Sequence, residues 1–267
     1  MKKIFAVLLF MTPFMTAWAQ EENAMTFIQP DSARRDAVLT VADADSAYIQ
    51  GDYLTAISIY ENIIETQGVN PTLYMNLGNA WHKRDEVARA ILCYERAYLL
   101  DPSDPDIKFN LELARTKTVD KVNPVNELFI VVWFKKLMRM FDVNDWAIMS
   151  LVFLLVFVAL FELFRFSKRR GIKKITFYFS AFFLLLSLLS VIFASTLKSN
   201  IKNRDTAIIM SASVTVKSTP SNSGTDLFII HEGRKVEILD SSMKEWVEIR
   251  LEDGNTGWVP VNVMEII

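Results

Sequence analysis

This chain of 267 residues has one cysteine, Cys93, and two histidines, His82 and His231, a shortage of the two residue types on which most zinc sites rely. A single thiol leaves no internal disulfide framework. Three such residues in distant stretches do not make a tetrahedral zinc set. Cys93 fits a small buried apolar residue. His82 falls at an exposed helical position and His231 beside a turn, neither with a companion in view. No phosphate-cradling glycine loop and no nucleophile–base pair is present, so neither catalysis nor a cofactor is expected. Also missing is a basic soluble region. Residues 20–124 hold 17 acids and 10 bases, and residues 205–267 hold 10 acids and 5 bases. Neither stretch neutralises a phosphate backbone, which argues against nucleic acid as a partner.

Charge is absent altogether from Thr176–Thr196, and Ala147–Phe164 carries only Glu162. A bilayer core about 30 Å thick needs roughly 20 helical residues, so membrane helices are expected over 147–166 and 176–196. The loop between them, 167–175, lies in a knot of six cations (Arg165, Lys168, Arg169, Arg170, Lys173, Lys174). By the positive-inside rule that knot marks the cytoplasmic side. Glu162 is close enough to the end of its run to reach the interface or Arg165. At the start, Lys2 and Lys3, an apolar run and Ala17-Trp18-Ala19 make a signal peptide over 1–19, with a retained anchor as the alternative. No cysteine follows the cleavage point, which excludes a lipoprotein anchor. These signs agree on a two-pass protein of a bacterial inner membrane, with its soluble parts on the outer face.

Residues 20–42 form a flexible and then helical lead-in, with a helix-start signal at Pro30-Asp31-Ser32. From 43 to 118 a period of 34 residues emerges. Counting from Pro71, Leu77, Gly78, Trp81, Ala90, Tyr94, Ala97 and Pro102 stand where the tetratricopeptide repeat places its signature. Ala56 and Tyr60 repeat the pattern one period earlier, and Asp106–Lys117 repeats its first helix. The resemblance implies antiparallel helix pairs stacked side by side, whose first helices line a concave face. On that face Thr72, Met75, Asn79, His82 and Lys83 are candidate partner-binding residues, with a solvated surface as the plainer reading. Carboxylate capture is not expected, since Asp106 and Asn110 stand where cations would be needed. Residues 123–145 then place Leu128, Phe129, Val132, Trp133, Leu137, Met140 and Phe141 at helical spacing opposite Lys135, Lys136 and Arg139. Such a helix fits a membrane interface or a seat on the repeat domain.

After a short polar linker, 198–204, the period becomes two. Five short strands punctuated by Pro220, Gly224, Gly233, Asp253-Gly254 and Gly257 suggest a small barrel over 205–267. HEGRKVEIL, Trp246 and DGNTGWVPVNV resemble a bacterial SH3 domain. In that family a groove of aromatics and one proline grips peptides, and Trp246, Pro260 and Asn262 match the set. Val263 stands where a tyrosine is expected, so the ligand stays open between a peptide other than polyproline, cell-wall stems and an intramolecular surface. Trp258 is assigned to the barrel core, and Trp246 equally to groove or core.

The fold class expected is therefore a multidomain membrane protein: an all-α repeat, a two-helix hairpin and an all-β SH3-like barrel. In its domain order the chain resembles the BatE-type proteins of aerotolerance operons. That resemblance implies a non-catalytic scaffold working with von Willebrand A-type Bat proteins and other envelope proteins, in a complex tied to stress or oxygen tolerance. Membrane lipid is the other expected partner. A membrane protein that binds peptidoglycan through its SH3 domain is the alternative.

Overall fold

The structure is a computed structural model that describes residues 39–121 and 128–267. The signal-peptide reading and nearly all of the lead-in, including Pro30-Asp31-Ser32, lie outside the described residues, as do residues 123–127 of the interfacial segment.

Five helices open the described chain: α1 (Val41–Ile49), α2 (Tyr53–Gln67), α3 (Pro71–Lys83), α4 (Val87–Leu100) and α5 (Pro105–Thr116). Four of them, all but α4, start at short polar side chains that accept hydrogen bonds from otherwise orphaned backbone amides. Thr40 and Asp43 form a reciprocal capping box on α1, Asp52 caps α2, and Asn70 and Asp104 cap α3 and α5 just before Pro71 and Pro105. α2 and α4 begin 34 residues apart, as do α3 and α5. The turns repeat too: Gly51 and Asp85, also 34 apart, both have positive φ. Each helix packs on the next, and α3 also touches α5. Ile57, Tyr60, Ile63, Leu77, Ala80 and Cys93 share one buried cluster. A fully buried side chain of this size contributes about 1.5–3 kcal/mol. The α3–α4 seam is close because Gly78 lies flat against Tyr94; a Cβ there would sit 2.7 Å from the ring.

α6 (Phe129–Met138) is short, and α7 (Val143–Phe166) and α8 (Arg170–Asn203) form an antiparallel hairpin. Both hairpin helices are long and apolar enough to cross a membrane. Their seam is small and polar on the α8 side, where Thr176, Ser180, Ser187 and Ser190 are buried and the Ser187 hydroxyl donates to the Ser150 carbonyl (3.0 Å). Small residues at three- and four-residue spacing let two helices approach where no hydrophobic effect drives them together. Leu137, Met138 and Phe141 turn inward onto Trp146 and Phe193, and the Trp146 indole donates to the Met138 carbonyl (2.9 Å).

Three expectations are revised here. The connection is only Ser167–Arg169, because α8 begins at Arg170; Lys173 and Lys174 ride its first turns. The expected polar linker, 198–204, is helix up to Asn203, since nothing between Ile172 and Asn203 breaks a helix: that stretch has neither glycine nor proline. The Arg165 guanidinium lies over the Phe166 ring, 5.9 Å from its centroid, and makes no ion pair with Glu162 among the described residues.

Seven strands rather than five follow: β1 (Thr206–Ile209), β2 (Ser213–Lys217), β3 (Asp226–His231), β4 (Lys235–Asp240), β5 (Trp246–Arg250), β6 (Thr256–Pro260) and β7 (Met264–Ile266). They form one antiparallel sheet in the order β3-β2-β6-β5-β4-β1-β7. Ala207, Ile209, Val216, Val236, Val247, Ile249 and Val259 point into its core.

Candidate functional site

Parity sorts the side chains of β5 and β6. Val247, Ile249 and Val259 are buried, so Trp246, Glu248, Trp258 and Pro260 lie on the opposite face and are half-buried. The register sets Trp246 against Pro260 and Glu248 against Trp258, with Lys217 of β2 on the far side of Trp258. Trp246 and Trp258 are thus diagonal neighbours, a separation that long aromatic side chains bridge. Beyond Pro260 a 3-10 turn, Val261–Val263, presents Asn262 to solvent, and its start is pinned by the Val261 amide donating to the Glu245 carbonyl (3.0 Å). Trp246, Pro260 and Asn262 are therefore brought to one end of the outer face. Trp258 joins them, which corrects its assignment to the core. The clue was available: two residues before Pro260 in a strand means the same face.

The five candidate residues of α3 fare differently. Thr72 and Lys83 are exposed. Met75 packs into a cluster with Tyr94, Leu111 and Ala114, so α5 covers this part of the face. Asn79 accepts a hydrogen bond from the Tyr94 hydroxyl (2.8 Å). The His82 Nε2 is buried with no hydrogen-bond partner among the described residues, and burial, together with the nearby Lys117 cation, pulls its pKa below the usual imidazole value. The stripe is a packed surface open only at its two ends.

A third region was not foreseen: the barrel is seated on α4 and α5. Glu95, on α4, is 2% exposed. It pairs with Arg115 of α5 and accepts from the Lys235 ammonium of β4 (2.7 Å). Burial by itself would raise its pKa; the Lys235 and Arg115 cations outweigh that and hold the carboxyl below its ordinary value. Arg96 donates to Glu265 (2.9 Å) and to the Ile266 carbonyl (2.6 Å). His231 does have a companion: Asp120 takes its backbone amide and lies against its Nδ1, both at 2.8 Å. Between these polar ties Ile208 and Ile267 pack with Ala90, Ile91, Leu92 and Leu111. Gly233, in the β3–β4 turn at φ +79°, presses so near that a Cβ would lie 2.8 Å from Thr118 and 3.0 Å from Ile91.

Cys93 is buried, and burial pushes its thiol pKa up to about 12, which suits packing and not nucleophilic attack. Among the described residues no three His, Cys, Asp or Glu side chains converge as a metal site requires.

No curated protein matches the chain. β1 and β7, which carry Ile208 and flank Ile267 at the seat on α4, lie outside the stretch that matches a family. That stretch is residues 212–263, which match the bacterial SH3 domain.

Proposed function

We propose that this chain is a non-catalytic scaffold anchored in the inner membrane, with its helical stack and SH3 domain on the exported face. The carrying observation is the arrangement of the SH3 domain. One side is closed onto α4 and α5 by Glu95, Arg96 and Ile208, while the face bearing Trp246, Trp258 and Pro260 stays open. A recognition surface is thereby held at a fixed angle, so the ordering entropy of a loose domain is not lost again on binding. The 34-residue spacing of helix starts and turns supports reading the stack as tetratricopeptide repeats. The hairpin composition and the six cations around its turn support the two-pass topology. The domain order supports assembly with Bat-type envelope proteins, von Willebrand A-type members among them, in a stress or oxygen-tolerance complex.

The test is photo-crosslinking in intact membranes, from Thr72 or Trp258. Capture of a von Willebrand A-type envelope protein is the expected result, and capture of lipid alone contradicts the scaffold. The match to bacterial SH3 domains and the pair of open tryptophans favour one further reading, peptidoglycan binding. Full-length protein in detergent is then expected to sediment with purified sacculi, and a Trp246→Ala/Trp258→Ala variant to stay in solution.

A further inference from the structure

α6 separates two recesses of opposite character. On one side is a cleft of about 1560 Å³ walled by α5, α6 and the barrel. Among its described lining residues nine are Lys or Arg and four are Asp or Glu. Three of those acids are already engaged, Glu112 by Arg115, Glu237 by Arg250 and Asp120 by His231. Lys108, Lys136 and Arg139 have no carboxylate within ion-pair distance among the described residues. Arg234 is 6% exposed, and among the described residues its Nε has no hydrogen-bond partner and its Nη1 has one long contact, 3.4 Å, to the Lys121 carbonyl. A buried guanidinium left short of acceptors carries a desolvation cost that an anion in the cleft relieves.

On the other side of α6 a groove of about 320 Å³ runs between it and α8, lined by Ile130, Val131, Phe134, Met138, Ile192 and Phe193. Lys135 borders both recesses. α6 leads into α7 after four residues, 139–142, and the groove is walled by α8 itself, so the groove adjoins the hairpin and the cleft lies across α6 from it.

We infer that the two recesses form one site for an anionic phospholipid. Its phosphate lies in the cleft toward Arg234, Lys136 and Arg139, and an acyl chain lies in the groove against Phe134 and Phe193. A soluble anion would use the cleft and leave the groove bare, whereas a zwitterionic lipid would bring its own cation into an already basic space. The inference rests on the reading that α7 and α8 cross the membrane.

Full-length protein in nanodiscs, followed by native mass spectrometry of retained lipid, tests it with phosphatidylglycerol and phosphatidylcholine as probes. The wild type is expected to favour phosphatidylglycerol by about tenfold. Arg234→Gln, and separately the exposed pair Lys136→Gln/Arg139→Gln, should each remove most of that preference. Soluble glycerol phosphate at millimolar concentration should displace nothing. Equal retention of the two lipids, an unchanged preference in Lys136→Gln/Arg139→Gln, or displacement by glycerol phosphate overturns the site. A protein that stays in solution without detergent refutes the membrane reading instead.

Discussion

Gly78 and Glu95 show how single side chains hold this molecule together. A methyl group on Gly78 meets the buried Tyr94 ring at 2.7 Å, and that ring is itself held by its bond to Asn79. Gly78→Ala is expected to cost about 1–3 kcal/mol by overpacking, read as a lower denaturation midpoint. A neutral result would mean that the α3–α4 seam is slack. Glu95 is buried between two cations that are each only about a third exposed (Arg115 32%, Lys235 29%). Glu95→Gln leaves Lys235 without its carboxylate partner and Arg115 with Glu112 alone, at about 2–3 kcal/mol, because both cations regain some water. Since the folded-state pKa of Glu95 is depressed, its contribution is fully present above about 4.3 and is lost as pH falls through the folded value. Wild type and Glu95→Gln should therefore differ in urea stability at pH 7 and converge as the solution is acidified below about pH 4. A gap that persists at low pH contradicts the ion-pair account.

Among the elements, those with local signatures were legible and those shaped at a distance were not. The 34-residue period is written in residues such as Gly78, Ala90, Tyr94 and Pro102, and the starts of α2 and α4, like those of α3 and α5, lie 34 residues apart. Alternation in 246–260 and the Asp253-Gly254 turn announce β5 and β6, which the structure pairs. α8 outran expectation because the polar residues of 198–203 look like linker, yet without glycine or proline nothing stops the helix before the left-handed cap at Arg204. Ala207-Ile208-Ile209 was underread: three apolar residues without alternation mean a strand buried on both faces, one in the barrel and one on α4. The hairpin invites its own test. Ser187→Leu puts a branched side chain into the serine-lined seam against Ser150. It should lower the detergent-resistant melting temperature of the hairpin, while Leu188→Ala on its exposed side should not. Equal effects would show that the seam is not where α7 and α8 meet.

The whole molecule depends on contacts that no sequence window contains. Glu95 and Lys235 are 140 residues apart, and Asp120 and His231 are 111 apart. Nothing local marks them as partners, which is why His231 looked companionless and the contact between stack and barrel was not foreseen. The same distance hid the basic cleft, whose walls come from three separate stretches. What results is a single assembly in which the helical stack, the hairpin and the SH3 domain restrain one another, with the open tryptophan face as its outward feature. The central claim is that stack and SH3 domain are docked together, on the side of the membrane proposed above to be the exported one. Cysteines introduced at Arg96 and Glu265, whose side chains meet at 2.9 Å, make it measurable in intact spheroplasts with a membrane-impermeant thiol-to-thiol crosslinker. The account predicts an internal crosslink in most chains without opening the cells; crosslinking only after lysis, or none at all, would contradict it.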